Sequence, residues 1–190
     1  CIRDRDVSFV FHIEKTADVV VDSLTAEISG IPSTMELTTG LILAQKTYKL
    51  LFRPTYAALP SAADSASAEA LRCEASVNIP GIVRSHTEDM VTGPGILQIA
   101  IYTHYDYEEE GTQRKAAKVF HAGINLYHTL KERKSLQWDE EENGYRQASR
   151  SITVEIGSPL NIDKDGILNG GSTSTGLDQW IPGETFEIEV

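Results

Sequence analysis

Five histidines, two cysteines and one acidic turn are the side chains here whose types could carry chemistry if folding brought them together. The histidines are His12, His86, His104, His121 and His128, and no pair of them has the spacing of a zinc-ligating motif. His12 falls on the polar face of an alternating segment, where a solvated histidine is expected. His121 and His128 could face each other across a turn, although a structural or surface role is the favoured reading. Asn161, Asp163, Asp165 and Gly166 repeat the first half of a calcium loop, in which alternate side chains converge and glycine permits the sharp turn. The closing position is Ser172, which has no bidentate carboxylate, so a plain turn is expected and no metal. The run from Gly170 to Gly176 would suit a phosphate only between a strand and a helix, and Pro182 opposes a helix there. It reads as a linker to the last strand. No nucleophile elbow, phosphate-cradling glycine loop or zincin helix occurs, and the paired carboxylates of glycoside hydrolysis are missing. The expectation is a protein that binds, with no catalytic residue and no cofactor.

The cysteines are Cys1 and Cys73. A cysteine at the first residue is where a processed bacterial lipoprotein carries its lipid, which makes Cys1 a lipidation candidate; the plainer reading is that the chain merely begins there. Cys73 lies in the alternating stretch from Leu71 to Val77 and reads as a buried free thiol. A disulfide between them is conceivable in an oxidising compartment, but spacing alone does not derive it.

The chain has 190 residues, with 28 Asp plus Glu against 17 Lys plus Arg and a formal net charge of -11. That charge disfavours phosphate-backbone contacts, so no nucleic-acid partner is expected, and it repels anionic lipid surfaces. Membrane attachment would then be covalent. No apolar run is long enough for a spanning helix.

The elements that must position these residues are strands. Val7, Phe9, Phe11 and Ile13 alternate with polar neighbours, the period of a half-buried strand. A second strand spans Ser23 to Ser29 and is expected to stop at Gly30-Ile31-Pro32. Met35 to Thr38 and Thr47 to Arg53 read as further short strands, the latter with Tyr48, Leu50 and Phe52 on one face. Ala57 to Ala70 reads as a surface loop, with a short helix at Ala66 to Arg72 as the other option. Ile96 to Tyr105 is apolar on both sides, which predicts a central strand covered on both faces. Gly123 weighs against a helix through Ala117 to Leu130, so a strand is expected there, then a helical turn near Thr129 to Lys134. Asn143-Gly144 and Asp165-Gly166 are turn signals, Ile152, Val154 and Ile156 keep the strand period, and Thr185 to Val190 closes the chain. Nine or ten strands in one domain over residues 1–190 predict an all-β sandwich.

The run Val21-Asp22-Ser23-Leu24-Thr25-Ala26-Glu27-Ile28-Ser29-Gly30-Ile31-Pro32 with Leu37-Thr38-Thr39-Gly40, the Gly95 to Leu126 centre, and the ending from Gly170-Gly171 through Asp178-Gln179-Trp180 to Phe186-Glu187-Ile188-Glu189-Val190 resemble Bacteroidetes fimbrial anchor and fimbrillin-associated lipoproteins. The resemblance implies a Greek-key, transthyretin-like β-sandwich. Because such anchors usually have two domains, it also implies that this domain is the second of a longer protein. It further implies a lipidated Cys1, a place at the outer membrane or in the fimbrium (pilus) on the bacterial surface, a role in cell adhesion, and fimbrial subunits as partners. Such proteins assemble by strand addition, in which an extended segment of one subunit completes a sheet edge of the next. Phe186, Ile188 and Val190, alternating on the last strand, are the candidates for that contact.

A rival reading is a surface carbohydrate-binding module of a glycan-capture system. Its stacking platform would come from Trp138, Trp180, Tyr102, Tyr105 and Tyr107.

Overall fold

The computed structural model describes residues 5–35, 42–59, 68–85, 93–132, 136–139, 144–147, 151–167 and 180–188. Among these described residues, twelve strands and one helix follow in chain order: β1 Arg5–Thr16, β2 Val19–Met35, β3 Ile42–Phe52, β4 Thr55–Ala58, β5 Ala68–Ile79, β6 Leu97–Glu109, β7 Thr112–Ile124, α1 Leu126–Glu132, β8 Leu136–Asp139, β9 Gly144–Gln147, β10 Ser151–Glu155, β11 Leu160–Ile162 and β12 Ile181–Ile188. The first sheet runs β10-β1-β5-β4, with β11 also on β1; the second runs β12-β7-β6-β2-β3; β8 and β9 form a separate ribbon. The expected all-β sandwich is therefore the fold.

Alternation explains why the two sheets meet. On β1 the residues Val7, Phe9, Phe11 and Ile13 are buried, as are Leu71, Cys73, Val77 and Ile79 on β5 and Ile152 and Val154 on β10. The second sheet answers with Leu24, Ala26, Ile28, Leu97, Ile99, Ile101, Phe120, Ala122 and Ile124, and all belong to one core. Two ring pairs join the layers: Phe9 stacks on Phe52 at 5.9 Å, and Phe11 meets Trp180 edge-on at 5.4 Å. The parallel pairing of β1 is shared, β10 taking Asp6 to Val10 and β11 taking Ile13 to Lys15.

Several expectations are corrected. The second strand does not stop at Gly30; it continues to Met35 through register shifts at Ile28/Ile31 and Pro32/Thr34. Beyond Ile28, β2 has lost its β6 neighbour and pairs only with β3, so Pro32 sits where one side of the strand has no ladder to supply. Of Ala66 to Arg72, the described part is strand and not helix: Ala68 to Arg72 belongs to β5, and Thr55 to Ala58 pairs with it, so both ends of the expected Ala57 to Ala70 loop are strand. Alanine's helix preference yields here to a strand partner, since β1 runs beside β5 for twelve residues. The helix after β7 starts at Leu126, before Thr129, because Asn125 caps it and its side-chain oxygen accepts the His128 amide at 3.1 Å.

Trp138 and Tyr145 pair across β8 and β9 as the Asn143-Gly144 signal implied, although Asn143 itself lies outside the described residues. So do the 36–41 part of the Met35 to Thr38 strand and its turn, and the Gly170 to Gly176 linker. Among the described residues no helix is long and apolar enough to cross a membrane.

Cys73 is a free, fully buried thiol. Burial pushes its pKa up from 9.0 to about 12. Its thiolate fraction at pH 8 should fall about a thousandfold below that of an exposed cysteine, so a thiol reagent should label the Cys73 peptide only after denaturation. Labelling of the folded chain at pH 8 would contradict the packing. The folded state holds this proton more tightly than the unfolded state does, so the group lowers stability as pH climbs from about 9 toward 12.

Candidate interaction surface on the second sheet

The outer faces of the two sheets differ in kind. Across β1 and β5 of the first sheet, polar side chains face each other: Ser8 bonds Ser76 at 2.8 Å, Asn78 donates to Asp6 at 3.0 Å, and His12 lies opposite Arg72. The second sheet presents cross-strand rows that include large apolar groups. One row is Ser23, Tyr102, Val119 and Phe186; the next is Thr25, Ala100 and His121; a third is Leu51, Glu27, Gln98, Gly123 and Ile181, spanning all five strands. Leu51 is 71% exposed and Phe186 50%, and Tyr102 and Ile181 are also exposed. The central strand β6, expected to be covered on both faces, is covered on one. Its second set of apolar residues is explained by this open face.

β12 forms an edge of that sheet. Among the described residues it pairs with β7 alone, in a ladder broken between Pro182 and Thr185. Gly183 sits at the break, and a Cβ there would come within 3.0 Å of the His121 Cβ. Beyond it Phe186 lies opposite Val119 and turns its ring edge-on to His121, centroids 5.6 Å apart. Of the residues expected to mediate strand addition, Phe186 is thus on the exposed face of an edge strand. Ile188 has its backbone opposite Ala117, and its side chain is outside the described residues, as are Val190 and the lipidation candidate Cys1.

Among the described residues the histidines do not come together. His104 bonds the Asp22 carboxylate at 2.7 Å, His121 packs on Phe186, and His128 is buried in α1 against Tyr127. His86 is outside the described residues. Asp163 spends its carboxylate on its own turn, accepting the amides of Asp165 and Gly166 at 2.7 and 2.8 Å. Among the described residues no group of three or more His, Cys, Asp or Glu side chains could hold a metal ion.

Among the described side chains the aromatics named for the rival reading do not share one face. Trp180 is buried against Phe11, and Tyr102 lies on the open face while Tyr105 and Tyr107, 6.3 Å apart, follow the opposite phase of β6. The side chain of Trp138 is outside the described residues.

A feature with no warning in the alternation lies at the irregular half of β2. Ser29 and Gly30 bulge, Gly30 with φ +76°, and bind the β6 approach: Ser29 N–H donates to Ile96 O, Gly95 N–H to Ser29 O, and Val83 N–H to Gly30 O, at 3.0, 3.0 and 2.8 Å. The extra residue lies on β2, so Ile28 and Ile31 stay opposite Leu50 and Tyr48 and β3 keeps its own alternation. Leu50 and Phe52 pack on the core, and Tyr48, in the same phase, is 44% exposed. A groove of about 610 Å³ opens there, lined by Tyr48, Lys49, Glu27, Gln98, Arg84 and Thr47 among others. The only sequence signal is Gly30-Ile31-Pro32, which marks an interruption but not its direction.

Fold and surface together define an all-β sandwich with one polar and one partly apolar outer face. Comparison with protein-family models, with curated proteins and with solved structures gives no match.

Proposed function

We propose that this chain works by binding and assembly, not catalysis: a Greek-key, transthyretin-like subunit or anchor of a bacterial surface fimbrium, joined to fimbrial subunits by strand addition and tethered through Cys1. The observation that carries the reading is β12, an edge strand with a single neighbour among the described residues, a broken ladder and an exposed Phe186. An edge strand offers unpaired backbone groups to another chain, and the break at Pro182/Thr185 weakens the hold of β7 on it. The other long edge, β3, carries exposed Lys46 and Lys49, the kind of charge that discourages edge-to-edge pairing. In this reading β12 is the segment that leaves its own sheet and completes a neighbour's.

Amide hydrogen exchange of the intact chain tests this. The amides of Thr185 to Ile188 should exchange at least about a hundredfold faster than those of Leu97 to Thr103 in β6, because releasing an edge strand opens far less structure than unfolding the sheet. Equal protection of the two strands would contradict a releasable β12.

A further inference from the structure

The last strand is set with its polarity inverted for an edge of a sandwich. Thr185 lies opposite the fully buried Phe120 and so takes the core phase, although it is exposed, whereas Phe186 lies opposite Val119 in the outer phase with its ring 50% exposed. We infer that β12 has a second register on β7, one residue out of step, that turns Phe186 between the sheets, and that the irregularity at Gly183–Glu184 is the switch between the two. This goes beyond the strand-addition reading and does not rest on it, since a strand can change register without leaving its own chain.

The ladder sets the two registers one residue apart. Ile181 pairs with Gly123 and Pro182 with Ala122, but Thr185 pairs with Phe120, so three steps along β12 cover two along β7. Regular pairing carried on from Pro182 would instead put Gly183 opposite His121, Glu184 opposite Phe120, Thr185 opposite Val119, Phe186 opposite Lys118 and Glu187 opposite Ala117. A slip of one residue moves every side chain to the other face, so Phe186 would enter the core phase beside Phe120. Little resists the slip. Among the described residues β12 has no neighbour but β7, so no second ladder fixes its register. Pro182 has no N–H to give to the ladder, and Gly183 brings no Cβ against His121, where one would come within 3.0 Å. The two registers carry opposite costs. The one seen leaves an aromatic ring half in water and breaks the ladder. The other sets that ring opposite the buried Lys118, whose ammonium donates to the Lys164 carbonyl at 2.8 Å and lies over the Tyr105 ring. Glu184 would then take the place of Thr185, which is exposed, so its carboxylate stays in water. The outward register adds Phe186 to the outer row of Ser23, Tyr102 and Val119, and the inward one withdraws it, so the slip decides whether that row is complete.

Cross-strand disulfides read the register of the intact chain, because two cysteines whose Cβ atoms point to opposite faces cannot be bridged. Ala117→Cys with Ile188→Cys joins in the register seen, and Ala117→Cys with Glu187→Cys joins only in the shifted one. Val119→Cys with Glu187→Cys needs a slip in the other direction and reports a loose strand. After mild oxidation, with the bonds located by peptide mass, the shifted pair should form at least about fivefold faster than the opposite-slip pair. Phe186→Ser should slow the shifted pair about tenfold, because the slip then buries no ring. Deleting Glu184 makes the register seen continuous, so it should slow the shifted pair at least about tenfold and leave the Ile188 pair within about twofold. The Ile188 pair also shows that cysteine variants of this edge fold. A shifted pair no faster than the opposite-slip pair, or one unmoved by both Phe186→Ser and the Glu184 deletion, overturns the second register. Fast and equal formation of all three pairs overturns it too, while leaving a releasable β12 standing.

Discussion

Replacing Gly95 by alanine should cost about 3 kcal/mol or more, enough to prevent accumulation of folded protein if the chain has ordinary marginal stability. Two costs add. At φ +81° an L side chain is strained by about 1–2 kcal/mol. The added Cβ would also lie 2.8 Å from the Val83 carbonyl oxygen and 2.9 Å from the Tyr127 Cβ, and neither is the far end of a flexible side chain. Gly30→Ala should behave similarly, since its Cβ would come 2.5 Å from the Gly95 amide nitrogen and 2.8 Å from the Pro94 Cβ. Gly111 is the matched control. It shares a positive φ of 75° in the two-residue turn between β6 and β7 but has nothing within 4 Å of an added Cβ, so Gly111→Ala should cost only about 1 kcal/mol. Urea denaturation of the three variants measures these differences. If Gly95→Ala and Gly111→Ala are equally stable, the close packing of Gly95 against Val83 and Tyr127 is wrong.

The contrast between those glycines marks where sequence reasoning succeeds and where it stops. Strict alternation in Val7, Phe9, Phe11 and Ile13 identifies a strand because only a period of two puts all four on one face, and all four are buried. At Gly30-Ile31-Pro32 the same rule reads an end, because a bulge and a terminus share turn residues; which occurs depends on whether β3 is there to keep pairing. Tyr48 keeps the phase of Leu50, opposite the buried Ile31, yet is 44% exposed, which alternation alone does not reveal. The apolar outer positions of β6 were visible, but alternation cannot say whether a second layer covers them. Trp180 shows the reverse error: a tryptophan after a polar stretch looks available for stacking, yet it fills the core against Phe11. The edge position of β12 depends on the order of strands within a sheet, which periodicity does not encode.

The second large effect concerns that edge. A chain ending at Trp180 loses β12 whole, which uncovers the β7 ladder from Ala117 to Gly123 and removes the Phe186 ring from His121. The core stays largely intact, because Trp180 remains against Phe11 and the exposed Phe186 contributes little buried area. The truncation should therefore fold, with stability lowered by about 2 kcal/mol and melting lowered by roughly 4–8 °C for a chain of this size. A ligand that binds only the folded state raises stability in proportion to the logarithm of its concentration over Kd.

The most direct measurement is the thermal melting of this truncation with and without a synthetic peptide of residues 181–190. If β12 is a strand that subunits exchange, the peptide should restore most of the lost melting temperature in a saturable way, and a peptide with Phe186→Asp should not. A truncation that melts with the intact chain and ignores the peptide, or one that is destabilised and not rescued by it, would contradict assembly through this strand.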